Sequence, residues 1–260
     1  MSDATVVGRV ARLARYPVKS FQGEVLDRAT FGGAGLVGDR VLGVVDAESG
    51  HVLSAKSVPE LLDAEARTTP SGIEVRLPGG EWLAAPSAAA GNAVSAWLGR
   101  PVRVEPAPPG ESRNYAMSFN IDDESLDTFE WFCPPGTFYD LADVHVLTTA
   151  SLRAAAGRHP EGAWAVERFR PTVLVDVEGD DFVEDAWVGH RLRFGSAAEV
   201  VVDQPTIRCP MTTRPQGGLP RDLDILRTVN RDHGGNLGLY ASIAAAGEVA
   251  VGDEVVLLPS

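Results

Sequence analysis

Apolar runs in this chain are short, and turn-forming residues cut them apart at close intervals; the 260 residues include 27 Gly and 18 Pro. Such a chain cannot build long helices or a regular strand–helix alternation. Residues 5-TVVGRVARLARYPV-18 are rich in β-branched residues, partly alternate, and stop at Pro17, which predicts a strand. A second strand is expected over 24–31, a hairpin over 40–54 around Asp46–Gly50, and short strands near 64–69, 73–77, 81–85 and 101–106. The Ala-rich stretch 84–99 reads as a surface helix over 88–98, with Ser87 as its N-cap and Gly99 as its stop. Further on, strands are expected over 144–148, 172–177, 191–195, 198–203, 237–243 and 254–258, and helices over 149–157 and 221–232. Between the two groups, 107–142 changes character: 106-PAPPG-110, the acidic stretch 122-DDESLD-127 and 134-PPG-136 read as a long ordered loop or as the seam between two halves. The predicted fold class is α+β, predominantly β: a barrel or curled mixed sheet with a few helices.

The net charge of −13 opposes non-specific binding to nucleic acid or to an anionic membrane, while leaving room for a local basic site. No run of about 18 apolar residues exists, and 1-MSDATVVGRV-10 lacks a basic region followed by an apolar one. No membrane span or signal peptide is expected. Two cysteines 76 residues apart, Cys133 and Cys209, make no disulfide framework and suggest a reducing, cytoplasmic setting.

Gly33, Gly35 and Gly38 spell GxGxxG, but a β-type run follows at 40–47 where a dinucleotide site needs a helix. They read as a turn between strands. The histidines have no zinc spacing, and neither GxxxxGK[ST] nor GxSxG occurs. What remains is a set of cations at loop–strand junctions: Lys19 with Ser20 in 16-YPVKS-20, Arg40 in 35-GLVGDR-40, and Arg170 before Thr172 in 169-FRPT-172. Thr148, Thr149 and Ser151 crowd a predicted helix start, where free N–H groups favour phosphate. Each alone fits a solvated charge or an ordinary cap; together they suit an anionic ligand. Cys209, beside Arg208 in the proline-restricted loop 204-QPTIRCPMTTRPQGG-218, is either a structural cysteine or a thiolate held for chemistry. Cys133 reads as a loop or packing residue.

Taken in order, YPVKS, GLVGDR, FRPT, 182-FVEDAW-187, 207-IRCPMTT-213, 238-GLYASI-243 and 251-VGDEVVLL-258 resemble a MOSC-domain protein preceded by a MOSC N-terminal β-barrel domain. The resemblance runs from about residue 5 to 258, and divides the chain into an N-terminal β-barrel-like domain, 1–106, and a MOSC barrel, 107–260. It implies a molybdenum cofactor, molybdenum held by a phosphorylated molybdopterin. Cys209 would be the metal ligand and catalytic centre; Lys19, Ser20, Arg40, Thr148, Thr149, Ser151, Arg170, Thr172 and Arg208 would bind the cofactor. Two departures stand out. Relatives often carry a second cysteine where this chain has Thr206, and read TTVDP where it has 212-TTRPQ-216, so that Arg214 would change the charge of the substrate entrance.

The resemblance implies an oxidoreductase that reduces small N-hydroxylated compounds such as amidoximes and hydroxylamines. The alternative is a non-catalytic molybdenum-cofactor carrier or a sulfur carrier using Cys209. A 2Fe–2S cluster takes four cysteines and this sequence has two. Electrons would therefore come from an external ferredoxin-, flavin- or cytochrome-type donor.

Overall fold

Residues Thr5–Arg15 form β1, whose two edges are both used, so its inward and outward residues alternate only in part. A computed structural model describes residues 4–118, 120 and 127–259. In chain order β1 is followed by β2 (Glu24–Leu26), β3 (Arg28–Gly32), β4 (Gly35–Leu36), β5 (Leu42–Asp46), β6 (Glu65–Thr69), β7 (Gly72–Arg76), β8 (Leu83–Ala85) and β9 (Val102–Pro106). Then come β10 (Asn114–Met117), β11 (Phe129–Phe132), β12 (Val144–Thr148), β13 (Val173–Asp176), β14 (Arg191–Phe194), β15 (Ala198–Ile207), β16 (Asn236–Ala245), β17 (Gly247–Ala250) and β18 (Glu254–Leu258). Among the described residues three α-helices interrupt them: α1 (Ala88–Leu98), α2 (Thr149–Arg158) and α3 (Leu223–His233).

The largest sheet runs β13-β12-β16-β15-β14-β18-β1, and β1 pairs again with β13, so that seven strands close into a barrel. Closure leaves the ring no open edge. Its one parallel pair is β12–β13, and α2 supplies the crossover such a pair requires. Valine and leucine fill the interior, with Val10, Leu13, Val146, Val175, Val200 and Leu239 all essentially without exposure. β15 runs on through Pro205, where its register against β16 shifts, and so outlasts the predicted 198–203. The predicted strand over 24–31 is two strands broken at Asp27.

A second core, built on Val18, Phe21, Leu42, Leu61, Val75 and Val94, lies between the β5–β9 pair, the β6-β7-β8 meander and α1. The predicted ends of α1 hold: Ser87 Oγ accepts from Ala90 N at 3.1 Å, and Gly99 closes the helix at φ 65°. The division of the chain near residue 106 is bridged in space. β1 closes the barrel, and β3 pairs with β17, so strands from the first part complete the second.

Residues 107–142 contain a hairpin, β10–β11, that sequence patterning missed. Tyr115 and Met117 pack with Val45, Val52, Cys133 and Phe138 in a third core, while all four residues of β11 are exposed, so that strand shows no alternation to read. Of the acidic stretch 122–127, only Asp127 lies within the described residues. Among the described residues no helix is long and apolar enough to cross a membrane.

Candidate functional site

Both parts of the chain contribute to one cavity of about 90 Å³. It brings together seven residues singled out from the sequence: Lys19, Ser20, Arg40, Arg170, Thr172, Arg208 and Cys209. Ser54, Lys56, Tyr139, Asp140, His145 and Tyr240 complete its polar lining, and the exposed Leu141 and Ile207 mark its mouth.

The backbone holds several of these residues in an uncommon conformation. Four described non-glycine residues have positive φ, and three of them are Ser20 (70°), Arg40 (48°) and Arg170 (53°). The left-handed region costs a non-glycine residue about 1–3 kcal/mol, and persists where its surroundings fix it. Those surroundings are visible. Arg40 N donates to Tyr16 O at 2.8 Å, and Arg40 O accepts from Phe138 N at 2.9 Å. Ser20 Oγ accepts from Ala55 N at 2.8 Å, and Arg170 N donates to Val166 O at 3.2 Å. Three loops from distant parts of the chain are thus bent to point side chains into the same space.

Charge in the cavity is lopsided. Five cationic side chains line it, Lys19, Arg40, Lys56, Arg170 and Arg208, against one carboxylate, Asp140. Asp140 bridges the lysines, at 2.5 Å from Lys19 Nζ and 2.7 Å from Lys56 Nζ. Burial pushes its carboxyl up, but Lys19 and Lys56 outweigh burial and hold it well below the usual carboxylate range. Burial likewise works to discharge Lys56, and Asp140 prevails, keeping it above the ordinary lysine value. Arg40 is paired with the buried Asp39, whose other oxygen accepts from Tyr16 N at 2.6 Å. Its pKa is held up by Asp39 against the opposing effect of burial.

Arg170 and Arg208 have no carboxylate partner among the described residues. Arg170 lies over the Tyr16 ring, 4.1 Å from its centre, and Arg40 lies over the same ring at 4.6 Å. Burial brings Arg170 down to about 10, and the nearby Arg40 adds to the fall. Arg208 donates to Phe169 O at 2.9 Å and approaches His145 Nε2 at 3.4 Å, while its Nε is buried with no partner. Because a guanidinium only donates, His145 Nε2 accepts. Burial, then Arg208 and Arg40, hold the imidazole well below its usual pKa, so it is neutral. Gly238 makes room for it: a Cβ there would stand 2.6 Å from His145 Nε2.

Cys209 opens a 3-10 turn, Pro210–Thr213, straight after β15. The paired threonines close the turn by bonding back, Thr212 Oγ1 to Cys209 O at 3.0 Å and Thr213 Oγ1 to Pro210 O at 2.8 Å. Arg168, fully buried, braces the loop from behind, donating to the carbonyls of Ala163, Thr212, Arg214 and Pro220 at 2.7–3.3 Å. Arg214 lies outside the cavity lining, contrary to its expected place at the entrance; its Nη2 donates to Lys56 O at 2.8 Å and ties the cysteine loop to the lysine segment. Thr206 is buried with its hydroxyl unpartnered.

The structure does not bring Thr148, Thr149 and Ser151 to this cavity. Thr148 caps α2, accepting from Ser151 N at 3.0 Å, and both hydroxyls donate to the buried Glu184, at 2.7 and 2.6 Å. Thr149 Oγ1 donates to Asp176 at 2.8 Å. A carboxylate from the chain itself therefore occupies the place expected for a phosphate. Sequence reading missed Lys56, Asp140 and His145, which stand in no motif with recognisable spacing, and did not single out Tyr240 within 238-GLYASI-243. Gly35 and Gly38, at φ 100° and 84°, serve the turn into Arg40, with β5 following.

The profile of the MOSC N-terminal β-barrel domain matches residues 7–102, and that of the MOSC domain matches residues 136–256. The chain is a MOSC-domain protein. MOSC domains are associated with molybdenum-cofactor sulfurase-like and reductase-like proteins. Among solved structures, YuaD from Bacillus subtilis aligns over 100% of both chains with 13% identity and a TM-score of 0.51, a likeness of fold. YiiM from Geobacillus stearothermophilus aligns over 45% of this MOSC-domain protein and 55% of its own chain, with 17% identity and a TM-score of 0.36. No curated protein matches the sequence.

Proposed function

We propose that this MOSC-domain protein binds the molybdenum cofactor and reduces N-hydroxylated compounds with electrons from an external ferredoxin-, flavin- or cytochrome-type donor. One observation carries the reading: in a chain of net charge −13, a thiol shares a cavity with two buried arginines that have no carboxylate partner among the described residues. Two such cations, one stacked beside Arg40, are unfavourable unless an anion joins them. The donor set suits a phosphorylated ligand carrying a thiophilic metal: Arg170, Arg208 and Lys19 for phosphate, Cys209 for molybdenum. The cofactor exceeds 90 Å³, and the part beyond that volume would lie in the open mouth between Leu141 and Ile207.

When bound, the group supplies the two-electron chemistry that removes oxygen from an N–O bond. The chain's own part is placement and charge. Arg208 and the neutral His145 orient one another, Asp140 fixes both lysines, and Arg168 holds the cysteine loop rigid. An amidoxime becomes an amidine and water, consuming two electrons and two protons.

The test is turnover of an aryl amidoxime with a chemically reduced donor, using protein loaded in a cofactor-competent host. Wild type should form the amidine, and Cys209→Ala should not. Equal turnover by the two contradicts the ligand role; bound molybdenum with no turnover by either assigns the carrier role instead.

A further inference from the structure

A second cavity, of about 260 Å³, lies between β1, the chain leaving it and the loop that follows the cysteine turn. It shares one lining residue with the first cavity, Arg170. Most polar groups on its wall are already engaged. Arg12 Nη1 donates to Glu167 at 2.5 Å, Glu24 accepts from Arg15 Nε at 2.9 Å and from Thr68 N at 3.0 Å, and Gln22 Nε2 donates to Leu62 O at 2.8 Å.

Two groups on the wall are not engaged. Arg170, 5% exposed, lies over the Tyr16 ring and has no carboxylate partner among the described residues. Gln216, also 5% exposed, spends its backbone N–H on Leu219 O at 3.2 Å, but its side-chain Nε2 is buried without a partner. A buried amide N–H is costly until an acceptor meets it. Both unengaged groups are donors and one is a cation, so together they fit the two oxygens of a carboxylate. Glu24 and Glu167 on the same wall disfavour a doubly charged phosphate, unlike the five cations of the first cavity. Ala14, Leu219 and the Tyr16 ring supply an apolar surface beside the donors.

We propose that this second cavity is a binding site for a small organic monocarboxylate with an apolar body, held by Arg170 and Gln216, and that its occupant weakens anion binding in the first cavity. Arg170 is the link. A carboxylate on its guanidinium neutralises one of the two cations that the first cavity offers without a carboxylate partner among the described residues. By linkage, an anion in the first cavity weakens the carboxylate by the same factor. The coupling needs only the anion affinity of the first cavity, and holds whether or not the protein is a reductase.

The test is calorimetric titration of the full chain with benzoate, benzamide and inorganic phosphate, for wild type, Gln216→Leu and Leu219→Trp. Wild type should bind benzoate, and bind its neutral isostere benzamide about tenfold more weakly or worse. Gln216→Leu should weaken benzoate about tenfold and leave phosphate unchanged, since Gln216 lines only the second cavity. It should melt no lower than wild type, because it removes an amide that has no partner. Leu219→Trp, which fills the space, should abolish benzoate binding and spare phosphate. Saturating benzoate should weaken phosphate binding to wild type about fivefold or more. Wild type that does not bind benzoate, or binds benzamide equally well, overturns the site. Benzoate affinity unchanged in both variants overturns it too, placing benzoate in the first cavity. Phosphate affinity indifferent to benzoate overturns the coupling through Arg170. The benzamide comparison and the benzoate–phosphate coupling use wild type alone, so they decide the matter even if a variant fails to fold.

Discussion

Tyr16 has two guanidinium groups over one ring, and among the described residues only one of them, Arg40, has a carboxylate to balance it. Arg170 is the uncompensated charge, and removing it should relieve the protein when no anion is bound. Arg170→Gln should melt no lower than wild type, and higher by up to about 1 kcal/mol of stability. Inorganic phosphate, which should raise the melting temperature of wild type by binding the folded state, should do so much less for the variant. Asp140 is the opposite case, a carboxylate on which two buried lysines depend. Asp140→Asn should cost about 1–3 kcal/mol at neutral pH, since Lys19 and Lys56 lose their charged partner. The pH dependence has a definite sign. The folded carboxyl is depressed, so its contribution is present above the unfolded value near 3.8 and is lost as pH falls through the lower folded value. Denaturant titrations between pH 6 and pH 3 should show this acid loss in wild type, and a smaller one in Asp140→Asn.

At the scale of elements, the cysteine loop is held by Arg168, a side chain outside the cavity lining. Arg168→Leu would leave the carbonyls of Thr212, Arg214 and Pro220 without their donor, and should cost about 3 kcal/mol. Loosening of the loop should also raise the reactivity of Cys209 towards a thiol reagent, which mass spectrometry of its peptide would read. Elements whose signals are local were legible in the sequence. α1 was bounded correctly because Ser87 and Gly99 each act on their own helix end, and the MOSC strands follow runs of β-branched residues. The hairpin β10–β11 was not legible, because β11 has no buried face and hence no alternation. Lys19, Arg40, Arg170 and Cys209 stood out by motif, whereas Lys56 and Asp140 matter only because a distant loop folds onto them. Thr148 and Ser151 misled for a related reason: a helix start attracts any anion, and the sequence does not tell a phosphate from Glu184, 33 residues beyond Ser151.

At the scale of the molecule, closure of the barrel and placement of the site are one event. β1 completes the ring between β13 and β18, and the chain leaving it runs directly into Tyr16, Lys19 and Ser20. The same closure brings the loops after β4, before β13 and after β15 to one cavity. The acidic remainder of the chain repels anions at long range, and the five cations focus attraction at that point alone. The most direct measurement is molybdenum and pterin content per chain in wild type and Cys209→Ala, both purified from a cofactor-competent host. Wild type should carry both near one per chain, and the variant should lose the metal. Wild type devoid of molybdenum and pterin, or a variant that keeps its molybdenum in full, would contradict the assignment.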